Sequence, residues 1–106
     1  MLSEGLAKLP ADDRPRMFGE DAIWYQKRGA ARVALGMTTG AEDDLRKSLA
    51  AEGRRWVHGR AHLELGRLAT KSGNKAAARP ELRTAVTFCE SDNDQACAND
   101  AKGLLR

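Results

Sequence analysis

Three groups of residues in this chain are of types that do chemistry. "WVHGRAH" places His58 and His62 four residues apart, which on a helix puts two imidazoles on one face within reach of a single metal ion. The zinc-hydrolase pattern HExxH needs Glu directly after its first His, and Gly59 stands there. No third ligand lies close in sequence. His58 and His62 are thus metal-ligand candidates, and helix packing is the plainer reading of both. Cys89 and Cys97 frame "CESDNDQAC". In an oxidising compartment they would bond; in a reducing one they pack as small apolar thiols. A nucleophilic thiol wants exposure and an adjacent base, and neither histidine is near in sequence. The acidic run between the cysteines lacks the EF-hand ligand spacing and its glycine, so helix capping is a sufficient account of it.

The third group is cationic. Residues 54–83 carry Arg54, Arg55, Arg60, Arg67, Lys71, Lys75, Arg79 and Arg83 against only Glu64 and Glu81, and the chain then turns acidic at Glu90, Asp92, Asp94 and Asp100. That excess favours an anionic partner for the middle of the chain, or a solvated basic face. A net charge of +3 is too mild for a dedicated nucleic-acid binder, and the cations are not interleaved with exposed aromatics as single-strand binding requires. No phosphate-cradling glycine loop and no nucleophile elbow is present. No cofactor is implied, and a non-catalytic role is expected.

The elements that must position these groups are helical throughout. At 106 residues the chain has room for one modest core and is read as a single domain. Apolar runs are only a few residues long, so no transmembrane span is expected; "MLSEGLAKLP" lacks the basic start and apolar core of a signal peptide. Leu2, Leu6 and Leu9 form a short helical stripe, followed by the turn-rich "PADDRP". Residues 20–35 read as a helix with Glu20 and Asp21 in its first turn and Gly36 as its stop. Thr39 and Glu42 match a capping box opening a helix to about Ala51. Arg55 to Ser72 is a long helix ended by Gly73. Asn74 caps the next, which reaches roughly Cys89, and Asp92 with Gln95 makes a second capping-box candidate before a last apolar stripe of Cys97, Ala101, Leu104 and Leu105. Pro80 predicts a kink, or a helix whose regular part starts only near Arg79. Short connections make neighbouring helices antiparallel.

Shifting the sequence by 37 residues exposes a repeat: Gly29 falls on Gly66, Gly36 on Gly73, Ala41 on Ala78, Leu45 on Leu82 and Arg46 on Arg83. Ser48 falls on Ala85 and Leu49 on Val86. Two helix–glycine–helix units of this kind bury their faces by stacking. The pattern resembles the tetratricopeptide repeat family, whose unit of about 34 residues runs aromatic, Leu-Gly, an aromatic or small residue, Ala, a bulky apolar residue and finally Pro. Leu65-Gly66, Ala69, Ala78, Leu82 and Ala85 carry the likeness in the second unit; Tyr25, Gly29, Ala41, Leu45 and Ser48 carry it in the first. Arg28 departs from it where Leu usually precedes the glycine, His62 replaces the aromatic, and the closing Pro is missing from both units.

The resemblance implies an all-α, right-handed α-solenoid of two helix hairpins: repeat 1 over 19–53 and repeat 2 over 54–90. A capping helix would follow over 91–106, and residues 1–18 would supply a short N-terminal helix and connection. It also implies a concave groove lined by the first helix of each pair, here Ile23, Gln26, Ala30 and Val33, mostly apolar, and Arg60, Leu63, Arg67, Thr70 and Lys71, mostly basic. Such a groove suits a protein or peptide with hydrophobic anchors and a carboxylate. Arrays below about three repeats are marginal, so self-association or a longer array is expected. If Cys89 and Cys97 are oxidised, an extracytoplasmic location follows. A metal-dependent site at His58 and His62 and a nucleic-acid-binding helical domain are the two alternative readings.

Overall fold

The computed structural model describes residues 20–106, so the stripe at Leu2, Leu6 and Leu9 lies outside the described residues. Among these residues the chain is all-helical: α1 Glu20–Ala34, α2 Thr38–Ala50, α3 Arg55–Lys71, α4 Lys75–Ser91 and α5 Gln95–Leu105.

Three of the four connections are the same turn. Gly36 and Gly73 adopt φ of 77° and 79°, and Asn93 a φ of 59°. In each, the amide three places past the helix reaches back to a carbonyl in its last full turn: Met37 to Arg32 at 2.8 Å, Asn74 to Ala69 at 2.8 Å, and Asp94 to Cys89 at 2.8 Å. This is the Schellman closure, which satisfies carbonyls that a helix end leaves open and needs a left-handed residue at its centre. Gly and Asn are the residues that adopt it at least cost. The α2–α3 connection differs, running through Ala51–Arg54 without a left-handed residue. His58 Nε2–H donates to the Ala51 carbonyl at 2.9 Å and ties this link to α3.

Two cores flank α3. On one side Ala61, Leu65 and Leu68 pack with Val33 of α1 and with Ala41 and Leu45 of α2. On the other, Leu63 packs with Ala78, Leu82, Ala85 and Cys89 of α4 and with Cys97, Ala98 and Ala101 of α5. The paired helices approach at their glycines. A methyl group at Gly29 would sit 2.7 Å from Leu45 Cδ2, and one at Gly66 would sit 2.5 Å from Leu82 Cδ2. The helix-weakening glycine thus recurs because the leucine sixteen residues later occupies its missing side chain's place.

Several sequence expectations are corrected at the helix ends. Met37, with no side-chain cap bond, precedes α2, so Thr39 and Glu42 form no capping box. The α5 cap is Asp94, whose carboxylate accepts from the Cys97 amide at 3.4 Å, in place of the Asp92–Gln95 pair. Asp92 instead accepts from the Trp56 backbone amide at 2.9 Å, capping the start of α3 from across the fold. Asn74 caps α4 as expected, accepting from the Ala77 amide at 3.1 Å. Helix α4 is continuous from Lys75 through Pro80. The lost bond falls in the second turn on an exposed side, where water can serve the Ala76 carbonyl.

Candidate functional site

Helices α1, α3 and α5 pack side by side, with α3 between the other two. Their shared outer surface carries most of the residues expected to line a groove. From α1, Ile23 and Ala30 are half-buried; from α3, Arg60, Arg67 and Thr70 are half-buried and Lys71 is exposed. Three expected groove residues are not on the surface. Val33 is 2% exposed and Leu63 is 4% exposed, and Gln26 is also buried. The expectation assumed that α3 has one buried stripe, opposite a free face. With cores on both sides, Leu63 is covered by α4 and α5, and Val33 by α2 and α3.

The arginines of this face carry their own counter-ions. Arg60 makes a bidentate pair with Asp94, Nε to Oδ2 at 2.7 Å and Nη2 to Oδ1 at 2.9 Å, and its guanidinium lies 5.8 Å from the Trp56 ring centroid. Hydrogen bonding to Asp94 raises the Arg60 pKa against the opposing effect of burial. The same bonds hold the Asp94 carboxyl below its usual value, helped by the Cys97 amide. Arg67 bonds to Glu64 one turn before it, and to Asp100 of α5 at 3.1 Å. Lys71 Nζ donates to the Val33 carbonyl at 3.1 Å, and the Thr70 hydroxyl to the Gly66 carbonyl at 2.9 Å. Acids of α5 thus balance cations of α3. An incoming carboxylate would reach Arg67 by exchanging with Asp100, whose side chain is 57% exposed.

A second polar cluster was not foreseen. Arg28 and Asp44 form a buried bidentate pair, with Arg28 Nε to Asp44 Oδ2 at 2.9 Å and Nη2 to Oδ1 at 2.6 Å; Arg32 joins at 3.0 Å. Tyr25 lies over the Arg28 guanidinium, 5.8 Å from centroid to carbon. This explains Arg28 in a Leu position: its charge is matched by Asp44, itself fully buried. In the shifted alignment Asp44 falls on Glu81, which pairs with His62 at 2.9 Å. An acid at one place in both second helices was the available signal.

The two histidines diverge. His58 bonds to the Ala51 carbonyl, while His62 bonds to Glu81 of α4 and meets the Phe88 ring edge-on at 5.6 Å. They share no metal-binding geometry with a third ligand among the described residues. Cys89, Asp94 and Cys97 do come together, but the two sulfurs are joined in a disulfide and Asp94 is held by Arg60. Gly59 of α3 faces this bond; a methyl group there would overlap Cys89 Sγ. The acidic run is accounted for residue by residue: Glu90 with Lys102, Ser91 with Arg55, Asp92 with the Trp56 amide, and Asp94 with Arg60.

Among known proteins, no family model, no curated protein and no solved structure matches this chain, so its functional reading rests on its own residues.

Proposed function

We propose that this chain is a non-catalytic recognition module of the tetratricopeptide kind, a short right-handed helical solenoid that binds a protein or peptide segment. The outer face of α1, α3 and α5 would receive it. The observation that carries the reading is the repetition of one contact in two units: Gly29 against Leu45, and Gly66 against Leu82, each following a helix that ends in the same left-handed turn. Helix α5 then lies along α3 on the side opposite α1, where a third unit's first helix would belong. The disulfide suits an oxidising, extracytoplasmic setting.

On this face, Ile23 and Ala30 offer apolar contact, and Arg67 with Lys71 offers charge. A segment with aliphatic anchors and an acidic residue fits both, the acid replacing Asp100 at Arg67. The test is a screen of acidic peptides against the full chain by fluorescence anisotropy. Reversing Arg67 and Lys71 to Glu should weaken binding about tenfold or more, whereas Asp100→Asn should strengthen it by removing the internal competitor. Binding that ignores all three changes would remove this face from consideration.

A further inference from the structure

Arg60 and Arg67 of α3 are ion-paired, but a row of cations on α4 is not. Lys75, Arg79 and Arg83 recur every fourth residue and are all exposed. Among the described residues none of the three has an ion pair, whereas Arg46 pairs with Glu42, Lys47 with Asp43, Lys102 with Glu90, Arg60 with Asp94 and Arg67 with Asp100. Like charges one turn apart on a helix repel. The row therefore costs some stability, and no acid among the described residues relieves it. The start of α4 adds the positive end of a helix dipole.

This row borders a pocket. Between the first turns of α4 and the end of α5 lies a cavity of about 90 Å³, with Lys75, Arg79 and Arg106 among its walls and no Asp or Glu side chain. Its apolar walls are Ala78, Leu82, Leu104 and Leu105. Leu104 is one of only three large apolar side chains exposed among the described residues. At roughly 30 Å³ per water, the space holds about three waters or one small aliphatic group.

We infer that this α4–α5 edge is a second recognition surface, with its own cations, which adjoins the α1–α3–α5 face at Thr70. It would take an acidic protein segment that seats one aliphatic side chain against Leu82 and Leu104, with its carboxylates on Lys75 and Arg79. Charge complementarity selects the acid, and the leucine-walled pocket selects the aliphatic anchor. Arg83 extends the row, so a segment running along α4 meets a cation at each turn. The same features argue against other anionic partners. No aromatic residue lines the pocket, so a nucleic-acid base has no stacking platform. Leu104 alone is too little apolar surface to enter a membrane interface.

The experiment uses the full chain and a fluorescein-labelled peptide, Glu-Glu-Leu-Glu-Glu, followed by anisotropy at low and moderate salt. Binding should weaken about tenfold with Arg79→Glu and similarly with Lys75→Glu, and should fall with rising salt. Replacing the peptide's Leu by Ser should cost a further severalfold, while Arg46→Glu, an exposed position on α2 outside both surfaces, should leave binding unchanged. Both α4 positions are exposed, and circular dichroism reports that the variants are folded. Loss of binding with Arg67→Glu but not Arg79→Glu would overturn this inference and leave the α1–α3–α5 reading standing. Equal binding of the Leu and Ser peptides would overturn the anchor and the inference with it. So would retention of an oligo-dT strand or of phosphatidylserine vesicles in place of the peptide. A peptide that does not bind at all overturns this surface only, since the other face is judged by its own variants.

Discussion

Glycine sits in the interior of three helices at positions 29, 66 and 103, spaced by 37 residues each time, and its environment decides its worth. At Gly66 an added methyl would lie 2.5 Å from Leu82 Cδ2 and 2.7 Å from its Cγ, and Leu82 is buried in the core with α3 and α5. At Gly103 an added methyl would meet nothing within 4 Å. Gly66→Ala should therefore destabilise the chain by about 1–3 kcal/mol through overpacking. Gly103→Ala should stabilise it by up to about 1 kcal/mol through helix propensity alone. Urea denaturation of the two variants checks this, and shifts of the same sign would sink the argument. The buried Arg28–Asp44 pair gives a second contrast. Asp44→Ala leaves Arg28 without its acid in an enclosed place, at a cost of about 3–5 kcal/mol. Asp43→Ala, one residue away, loses only an exposed pair with Lys47 and should cost less than about 1 kcal/mol.

At the scale of the element, α5 is held to α3 by charge and to α4 by a covalent bond. Arg60 lowers the Asp94 carboxyl pKa below its ordinary 3.8. A carboxyl depressed on folding contributes stability that is complete above the unfolded value and lost as pH falls through the lower folded one. Acidification below about pH 3.8 should thus release Arg60 from Asp94, and Trp56 fluorescence should report it, since Arg60 lies over that ring. In Asp94→Asn that part of the acid transition should be missing; an unchanged transition would assign it elsewhere. Reducing Cys89–Cys97, whose sequence separation is 8, should lower stability by about 2–3 kcal/mol on loop entropy. Most of the helices were legible because their stops are backbone events: Gly36 and Gly73 mark left-handed turns in any context. The caps were less so. Asp92 caps α3 from 36 residues away, a pairing no local motif encodes. Leu63 and Val33 were misplaced for a related reason. Helical periodicity shows which residues share a face, but not that α3 is packed on both sides. Nothing in "AEDDLRK" sets Asp44 apart from the exposed acids beside it, because its partner Arg28 lies on α1.

Across the whole molecule, α3 is the shared wall. It contributes Ala61, Leu65 and Leu68 to one core and Leu63 to the other, while α1 and α2 take part in the first alone and α4 and α5 in the second alone. In a nearest-neighbour chain of units, losing an end unit costs one interface, whereas losing a central one costs two. Native-state hydrogen exchange should then be slowest in the middle of α3, because its amides open only when both cores have opened. Helices α1 and α2 should exchange together at lower free energy, and adding a reductant should speed exchange in α5 while leaving α1 and α2 as they were. Functionally this separates the two proposed surfaces. The α4–α5 edge lies within one exchange unit and should keep its peptide when α1 and α2 are destabilised by Gly29→Ala. The α1–α3–α5 face spans both units and should lose affinity in that variant. Mass-resolved exchange on the unaltered chain and on Gly29→Ala decides it: one common exchange rate for α1, α3 and α5 would mean a single cooperative unit, and that separation of the surfaces would not hold.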